Sequence, residues 1–260
     1  MKTKIYFSKY HGTGNDFILI NAFDNNIELS SDVINSMCHR QFGIGADGLM
    51  ILRKKNNFDF EMDFYNSDGN KGSMCGNGGR CIVAFAHDLG IITDKAHFLA
   101  PDGEHFAEFI THNKIKLSLR DVTNIENHKL GIFMDTGSPH LVISKNSDVD
   151  INVFEEGRSV RYSDEYKKNG VNVNFVIPKT DISKVYTYER GVENQTFSCG
   201  TGTVASAIAL NKLENKVSPI KFNTLGGDLI VYFNRIGENS YSDIRLEGPA
   251  KKIFEGFFEY

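Results

Sequence analysis

The chain has 260 residues, 40% hydrophobic and 24% charged, which is enough to bury one or two ordinary cores. A net charge of −4 at pH 7 implies no broad basic surface and argues against a nucleic-acid partner. The basic N-terminus lacks an apolar run of signal-peptide length, and no segment approaches the roughly 20 apolar residues of a membrane span, so the expected location is the cytoplasm, away from membranes.

Taken in order, Ile5–Tyr10 and Phe17–Asn21 read as strands around the turn His11-Gly12-Thr13-Gly14-Asn15. Ser30 or Ser31 is placed to cap a helix through Val33, Ile34, Met37 and Cys38. Gly43-Ile44-Gly45-Ala46-Asp47-Gly48 spells G-x-G-x-x-G, but it follows a helix and leads into the strand Leu49–Leu52. That context is wrong for dinucleotide binding, and a turn is the better reading. Phe58–Tyr65 reads as a strand, followed by the polar loop Asn66-Ser67-Asp68-Gly69-Asn70. Met74-Cys75-Gly76-Asn77-Gly78-Gly79-Arg80-Cys81 then opens an apolar run ended by Leu89-Gly90. Strands follow near Ala96–Leu99, Glu104–Ile110 and Lys114–Leu119, and the polar stretch Asp121–Lys129 reads as a linker.

The second half repeats this order. Strands lie near Ile132–Asp135 and His140–Ser144, and Asp150 is placed to cap a helix around Val153–Glu156. Strands at Val171–Ile177 and Lys184–Glu189 lead through the loop Arg190–Gln195 to Ser198-Cys199-Gly200-Thr201-Gly202 and a second apolar run. Three more strands lie near Val217–Phe222, Leu229–Phe233 and Ile244–Leu246, and the tail Ile253–Phe258 is apolar.

Cys75 and Cys199 stand 124 residues apart, and Gly76, Gly78, Phe98 and Gly103 map by the same offset onto Gly200, Gly202, Phe222 and Gly227. Gly14–Ile20 aligns with Gly137–Ile143 at an offset of 123. The chain therefore reads as a duplication, with domains at 1–122 and 123–251 and the tail 252–260 returning to the first domain. Neither apolar run shows a polar face, so each is a helix that must be wrapped on all sides. The expected class is α+β: two pseudo-symmetric domains, each a curled, mostly antiparallel sheet, a partly open barrel, around a central apolar helix.

Each duplicated cysteine precedes a helix, where unpaired N–H groups and the helix dipole favour an anion: a thiolate or a ligand carboxylate. Cys38 and Cys81 read instead as small buried residues. With no Cys-x-x-Cys pair, neither a zinc ribbon nor a thioredoxin motif is expected, and in a cytoplasmic chain of this size neither is a structural disulfide. Two thiols in pseudo-twofold placement facing each other across a cleft suit inversion at carbon. One thiolate removes a proton from one face, and the other thiol delivers one to the opposite face.

The motifs His11-Gly-Thr-Gly-Asn-Asp-Phe17, Gly43–Gly48, Tyr65-Asn-Ser-Asp-Gly69, Met74–Arg80, Gly137-Ser-Pro-His140, Asn172-Val-Asn-Phe175, Tyr188-Glu-Arg-Gly191 and Ser198–Gly202 span nearly the whole chain. Together they resemble the diaminopimelate epimerase family of pyridoxal-phosphate-independent isomerases. The related proline racemases resemble Cys-Gly-His at the first cysteine, where this chain has Cys75-Gly76-Asn77. The resemblance implies interconversion of L,L- and meso-diaminopimelate in lysine and cell-wall biosynthesis, with no cofactor or metal. It implies Cys75 and Cys199 as base and acid, with the N–H groups of Gly76, Asn77, Gly200 and Thr201 on the α-carboxylate. Asn15, Asn66, Asn172, Glu189 and Arg190 would read the rest of the substrate, and His140 and Glu189 would tune the thiols. The apolar tail around Phe254 adds the expectation of a homodimer.

Plainer readings stand beside these. Loop asparagines are commonly turn formers. Glu189-Arg190 reads equally as a solvated pair, and His140 as a core histidine; His39, His87, His97 and His105 read as structural or exposed. Two positions depart from the family pattern: Gly48, where some members carry Gln, and Ser138, where many carry Asn. They keep open a racemase of another amino acid on the same fold. A non-catalytic thiol redox or amino-acid-binding protein is the third alternative.

Overall fold

Burial alternates along Lys95–Ala100 and Lys114–Ser118, as in strands with one wet face, whereas Gly48–Arg53 is buried almost throughout, as in a strand covered on both sides. A computed structural model describes residues 3–111, 113–147, 149 and 151–260. Its chain divides into two units, one reaching Leu117 and taking in Pro249–Tyr260, the other Ser118–Gly248.

The first unit contains β1 (Lys4–Gly12), β2 (Asn15–Ala22), α1 (Ser31–Cys38), β3 (Gly48–Arg53), β4 (Phe60–Asn66), α2 (Gly76–Asp88), β5 (Lys95–Ala100), β6 (Gly103–Thr111) and β7 (Lys114–Ser118). β1–β2, β3–β4, β5–β6 and β6–β7 pair antiparallel. β2–β3 and β4–β5 pair parallel, and α1 and α2 are their crossovers. The β1–β2 turn is shorter than the sequence implies. Thr13 and Gly14 alone connect the strands, both at positive φ (48° and 89°), as a two-residue hairpin of matching twist requires. Ser30 caps α1, its Oγ accepting from Val33 N at 3.4 Å.

The second unit contains β8 (Glu126–His128), β9 (Gly131–Asp135), β10 (Pro139–Ser144), α3 (Val153–Arg161), β11 (Asn172–Ile177), β12 (Ile182–Glu189), β13 (Asn194–Thr196), α4 (Gly200–Glu214), β14 (Ile220–Thr224), β15 (Gly227–Arg235) and β16 (Tyr241–Pro249). Parallel pairing again falls across the helical crossovers, at β10–β11 and β12–β14. The remaining named pairs, β8–β9, β9–β10, β11–β12, β12–β13, β14–β15 and β15–β16, are antiparallel. The last strand, β17 (Lys251–Glu259), returns to the first unit and pairs antiparallel with β1, as β8 does with β9.

The two units thus share strand order and register. Leu49 lies opposite Tyr65 and Met50 opposite Phe64; Val173 lies opposite Tyr188 and Asn174 opposite Thr187. The fold is α+β with two pseudo-symmetric units. In the second, Val204, Ala207, Ile208 and Leu210 of α4 pack against Val142, Val176, Phe222, Leu229, Val231 and Leu246, so the open sheet curls around the helix. Each buried Val, Ile, Leu or Phe among them contributes about 1.5–3 kcal/mol by burial. α2 is likewise buried from Gly76 to Ala86.

Two local expectations change. Asp121–Lys129 is not a free linker. Val122 and Ile125 are buried in the second core, and Glu126–His128 is a strand. Asn152 caps α3, its Oδ1 accepting from Glu155 N at 3.1 Å; Asp150 lies outside the described residues.

Candidate active site

Both central helices begin on the residue after a cysteine. Cys75 and Cys199 are N-cap residues with extended backbones (φ −122° and −123°), and both are half-buried. Gly76-Asn77 and Gly200-Thr201 form the first helical positions, from which helices present N–H groups to anions. A threonine of the preceding hairpin clamps each start: Thr13 Oγ1 lies 3.2 Å from Asn77 Oδ1, and Thr136 Oγ1 donates to Thr201 O at 2.9 Å.

In the first unit Cys75 Sγ accepts from Gly78 N at 3.2 Å and lies 3.7 Å from Asn15 Oδ1. Asn15 Nδ2 donates to Asp47 at 2.5 Å, which turns its amide oxygen toward Cys75 and Asn77. Asp47 sits at the end of the Gly43–Gly48 turn, whose backbone closes on the last residues of α1, so this loop's Gly pattern serves a turn. Arg40 holds the same corner by bonding Asp47 and Asp16. Burial pushes the Asp16 carboxyl up, but hydrogen bonds from Arg40 and Lys9 outweigh it and hold the group at about 2. Asn66 stands exposed at the end of β4, opposite Gly48.

The sequence reading assigned no role to Arg80, the one basic residue in the first apolar run. It is fully buried and donates to Gly76 O (3.1 Å), Asn77 Oδ1 (2.8 Å), Thr13 Oγ1 (3.3 Å) and Pro249 O (3.3 Å), tying hairpin, helix start and returning chain together. Burial lowers its guanidinium to about 10, so it stays charged near neutrality.

In the second unit His140 is completely buried. Its Nδ1 meets Asn174 Nδ2 at 2.9 Å, and its Nε2 meets Thr201 Oγ1 at 2.9 Å. Thr201 Oγ1 lies 3.5 Å from Cys199 Sγ. Burial, followed by the charge of Arg190, lowers the imidazole to about 3, so it is neutral. Asn172 Nδ2 donates to Ser138 Oγ at 2.8 Å, and its Oδ1 accepts from Arg190 N. Arg190 Nη2 also reaches Ser138 Oγ, at 3.4 Å. Glu189 ends β12, half-buried and opposite Asn194. The two departures now have local explanations. A Cβ at Gly48 would lie 2.7 Å from Tyr65 O, and Ser138 is short enough to join Asn172 with Arg190.

Cys38 and Cys81 are buried, and burial pushes the Cys38 thiol up to about 12 and that of Cys81 up as well. Both are inert packing residues.

The fold is shared with solved structures at low identity. A phenazine biosynthesis protein of the PhzF family from Bacillus anthracis superposes with a TM-score of 0.75 at 13% identity, covering 99% of each chain. A probable proline racemase from Agrobacterium radiobacter superposes at 0.68 with 11% identity, covering 97% of this chain and 92% of that one. Sequence comparison is more specific. The diaminopimelate epimerase family model matches residues 7–118 and 132–253. A diaminopimelate epimerase of Flavobacterium psychrophilum is 45% identical across 97% of this chain and 98% of its own. One from Chlorobaculum tepidum is 38% identical across 94% and 98%. The chain belongs to the diaminopimelate epimerase family.

Proposed function

We propose that this enzyme epimerises diaminopimelate at Cα between the L,L and meso forms, with Cys75 and Cys199 as its acid–base pair. One observation carries the proposal: in a chain of this family, two equivalent helices each begin on an N-cap cysteine. One cysteine, as thiolate, takes the Cα proton. The other, as thiol, gives its proton to the opposite face of the carbanion, and the two sulfurs exchange protonation states. The N–H groups of Gly76, Asn77, Gly200 and Thr201 hold the α-carboxylate at the helix starts, where charge develops during proton removal. No cofactor takes part. Arg190, oriented through Ser138 and Asn169, grips the distant carboxylate, with Asn15, Asn66, Asn172 and Glu189 around the substrate's remaining polar groups.

The enzyme serves lysine and peptidoglycan-precursor synthesis in the cytoplasm; no helix among the described residues is long and apolar enough to cross a membrane. It works as a homodimer. Exposed Ile253, Phe254 and Phe257 line β17, with Tyr6 beside Phe257, a patch suited to a second copy.

The test is a substrate panel with purified protein and no added cofactor. L,L-diaminopimelate should yield the meso form with solvent hydrogen entering Cα. Equal or faster racemisation of lysine or proline would overturn the assignment. Absence of any Cα exchange would leave a binding or redox protein.

A further inference from the structure

We infer that Thr187, Asn174, His140 and Thr201 form one directed hydrogen-bond relay that ends as a donor to Cys199, making Asn174 and Thr187 positioning residues for that thiol. The direction follows from which atoms are able to give protons. Asn174 Nδ2 contacts Leu141 O at 3.5 Å, and a carbonyl only accepts, so the amide nitrogen is the atom facing His140. Its carbonyl oxygen faces the other way and accepts from Thr187 Oγ1 at 2.9 Å. His140 Nδ1 is therefore an acceptor, and the one proton of the neutral ring sits on Nε2. That N–H donates to Thr201 Oγ1 at 2.9 Å. The Thr201 hydroxyl keeps its own proton, and toward a thiolate at Cys199, whose Sγ lies 3.5 Å away, that proton is what the hydroxyl has to give.

Asn174 and Thr187 are buried, and their polar side-chain atoms are taken up by each other, by His140 and by Leu141 O, so they act through the relay. A polar pair buried across β11 and β12 costs stability unless bonded, and here each link satisfies the next. The packing is close: a Cβ on Gly202 would collide with Asn174 Oδ1. The relay favours the thiolate at Cys199, because a hydroxyl donor stabilises the charged sulfur over the neutral one.

Other charged groups sit on the elements packed against the start of α4. Asp135 ends β9 and accepts from Gly137 N. Glu189 ends β12, Arg190 follows it with its side chain bonded to Asn169 O and Ser138, and the Arg120 guanidinium lies beside Gly137 near Thr201. All are left in place by the substitutions below.

This inference rests on the proposed role of Cys199 but is tested without turnover. Iodoacetamide alkylation of each thiol in the substrate-free protein is followed by peptide mass spectrometry from about pH 5 to 10, each site normalised to its own plateau. Thr201→Val should raise the Cys199 midpoint by about one pH unit, the size expected for one charge-assisted bond. Thr201→Ser should restore it, and the Cys75 midpoint should not move. Asn174→Leu and Thr187→Val should shift Cys199 in the same direction by less. Equal behaviour of the Val and Ser variants, or a Cys199 midpoint unmoved in Thr201→Val, would overturn the relay. Should Asn174→Leu fail to fold, the near-isosteric Thr187→Val and Thr201→Val variants still decide. A normal relay in a protein without epimerase activity would refute the proposed reaction and leave the relay standing.

Discussion

The starts of α2 and α4 occupy equivalent places in two units of the same register, yet they rest on opposite kinds of support. Beneath α2 lie Phe17, Met50 and Phe64, with the two rings 6.0 Å apart and Met50 Sδ and Phe64 Cε2 within 3.4 Å of a Cβ built on Gly78. The equivalent residues beneath α4 are His140, Asn174 and Thr187, a hydrogen-bonded set. The two units share the backbone and both N-cap cysteines, while the side chains behind them differ, apolar in the first and polar in the second. The first unit invests its polar groups elsewhere, in buried Arg80 and in the Asn15–Asp47 pair. A symmetric reaction on one carbon asks for two similar helix starts; it does not ask for identical support. Each thiol is held by its own means.

The comparison breaks first at the cysteines. Cys75→Ala and Cys199→Ala should each lower epimerisation by about 10³-fold or more, since each removes one positioned proton-transfer group. The double variant should lose little beyond that, because the pair acts as a unit. Cys38→Ala and Cys81→Ala should leave turnover near the parent value and lower unfolding free energy instead, by roughly 1–2 kcal/mol each. Steady-state rates and urea melts of the same preparations separate the two outcomes.

Arg190→Lys should reduce kcat/KM for diaminopimelate about 10- to 100-fold, because an ammonium cannot span Ser138 and a carboxylate with one planar fork. A substrate analogue lacking the distant carboxylate should narrow that gap between variant and parent. An unchanged ratio on the analogue would place Arg190 outside the substrate site.

The glycines sharpen the contrast between supports. Gly202→Ala drives a methyl into Asn174 Oδ1 and should cost about 1–3 kcal/mol. Gly78→Ala meets a flexible methionine sulfur and a ring edge at 3.3 and 3.4 Å, and the gain in helix propensity offsets much of that strain. Its melting temperature should stay close to the parent's.

His140 gives the support beneath α4 a pH dependence that Phe17 cannot. Unfolded, the histidine takes up a proton near 6.5; folded, burial keeps it neutral down to about 3. The unfolded state therefore binds more protons in that window, and stability falls as pH drops through it, by up to about 1.4 kcal/mol per pH unit. His140→Gln should flatten the slope of unfolding free energy between pH 6.5 and 4 by about one proton. An unchanged slope would mean the acid sensitivity arises elsewhere.

Much of this was legible in the sequence because the signal was repeated. Cys-Gly-x-Gly before an apolar run, found twice at a fixed offset, placed both helix starts, and the Ser30-Ser31 pair announced α1 by its capping chemistry, with Ser30 as the cap. What stayed hidden depended on burial. Asn174 and Thr187 are polar residues within strand runs, and the sequence assigned neither a role, yet Asn174 has no exposure at all. Val122 and Ile125 were obscured by polar neighbours, though two apolar residues spaced three apart were the available signal for a packed segment. Arg80 was conspicuous as a charge at the head of an apolar run, but its two acceptors from distant parts of the chain, Thr13 and Pro249, could not be foreseen.

The central claim is that the two helix starts supply two separate proton carriers. The most direct measurement is the epimerisation of L,L-diaminopimelate in heavy water, with deuterium at Cα followed in both substrate and product at early conversion. Two carriers predict that the first product formed carries deuterium while recovered substrate carries almost none. Deuterium entering substrate and product together from the start would mean a single base serves both faces, and would contradict the account.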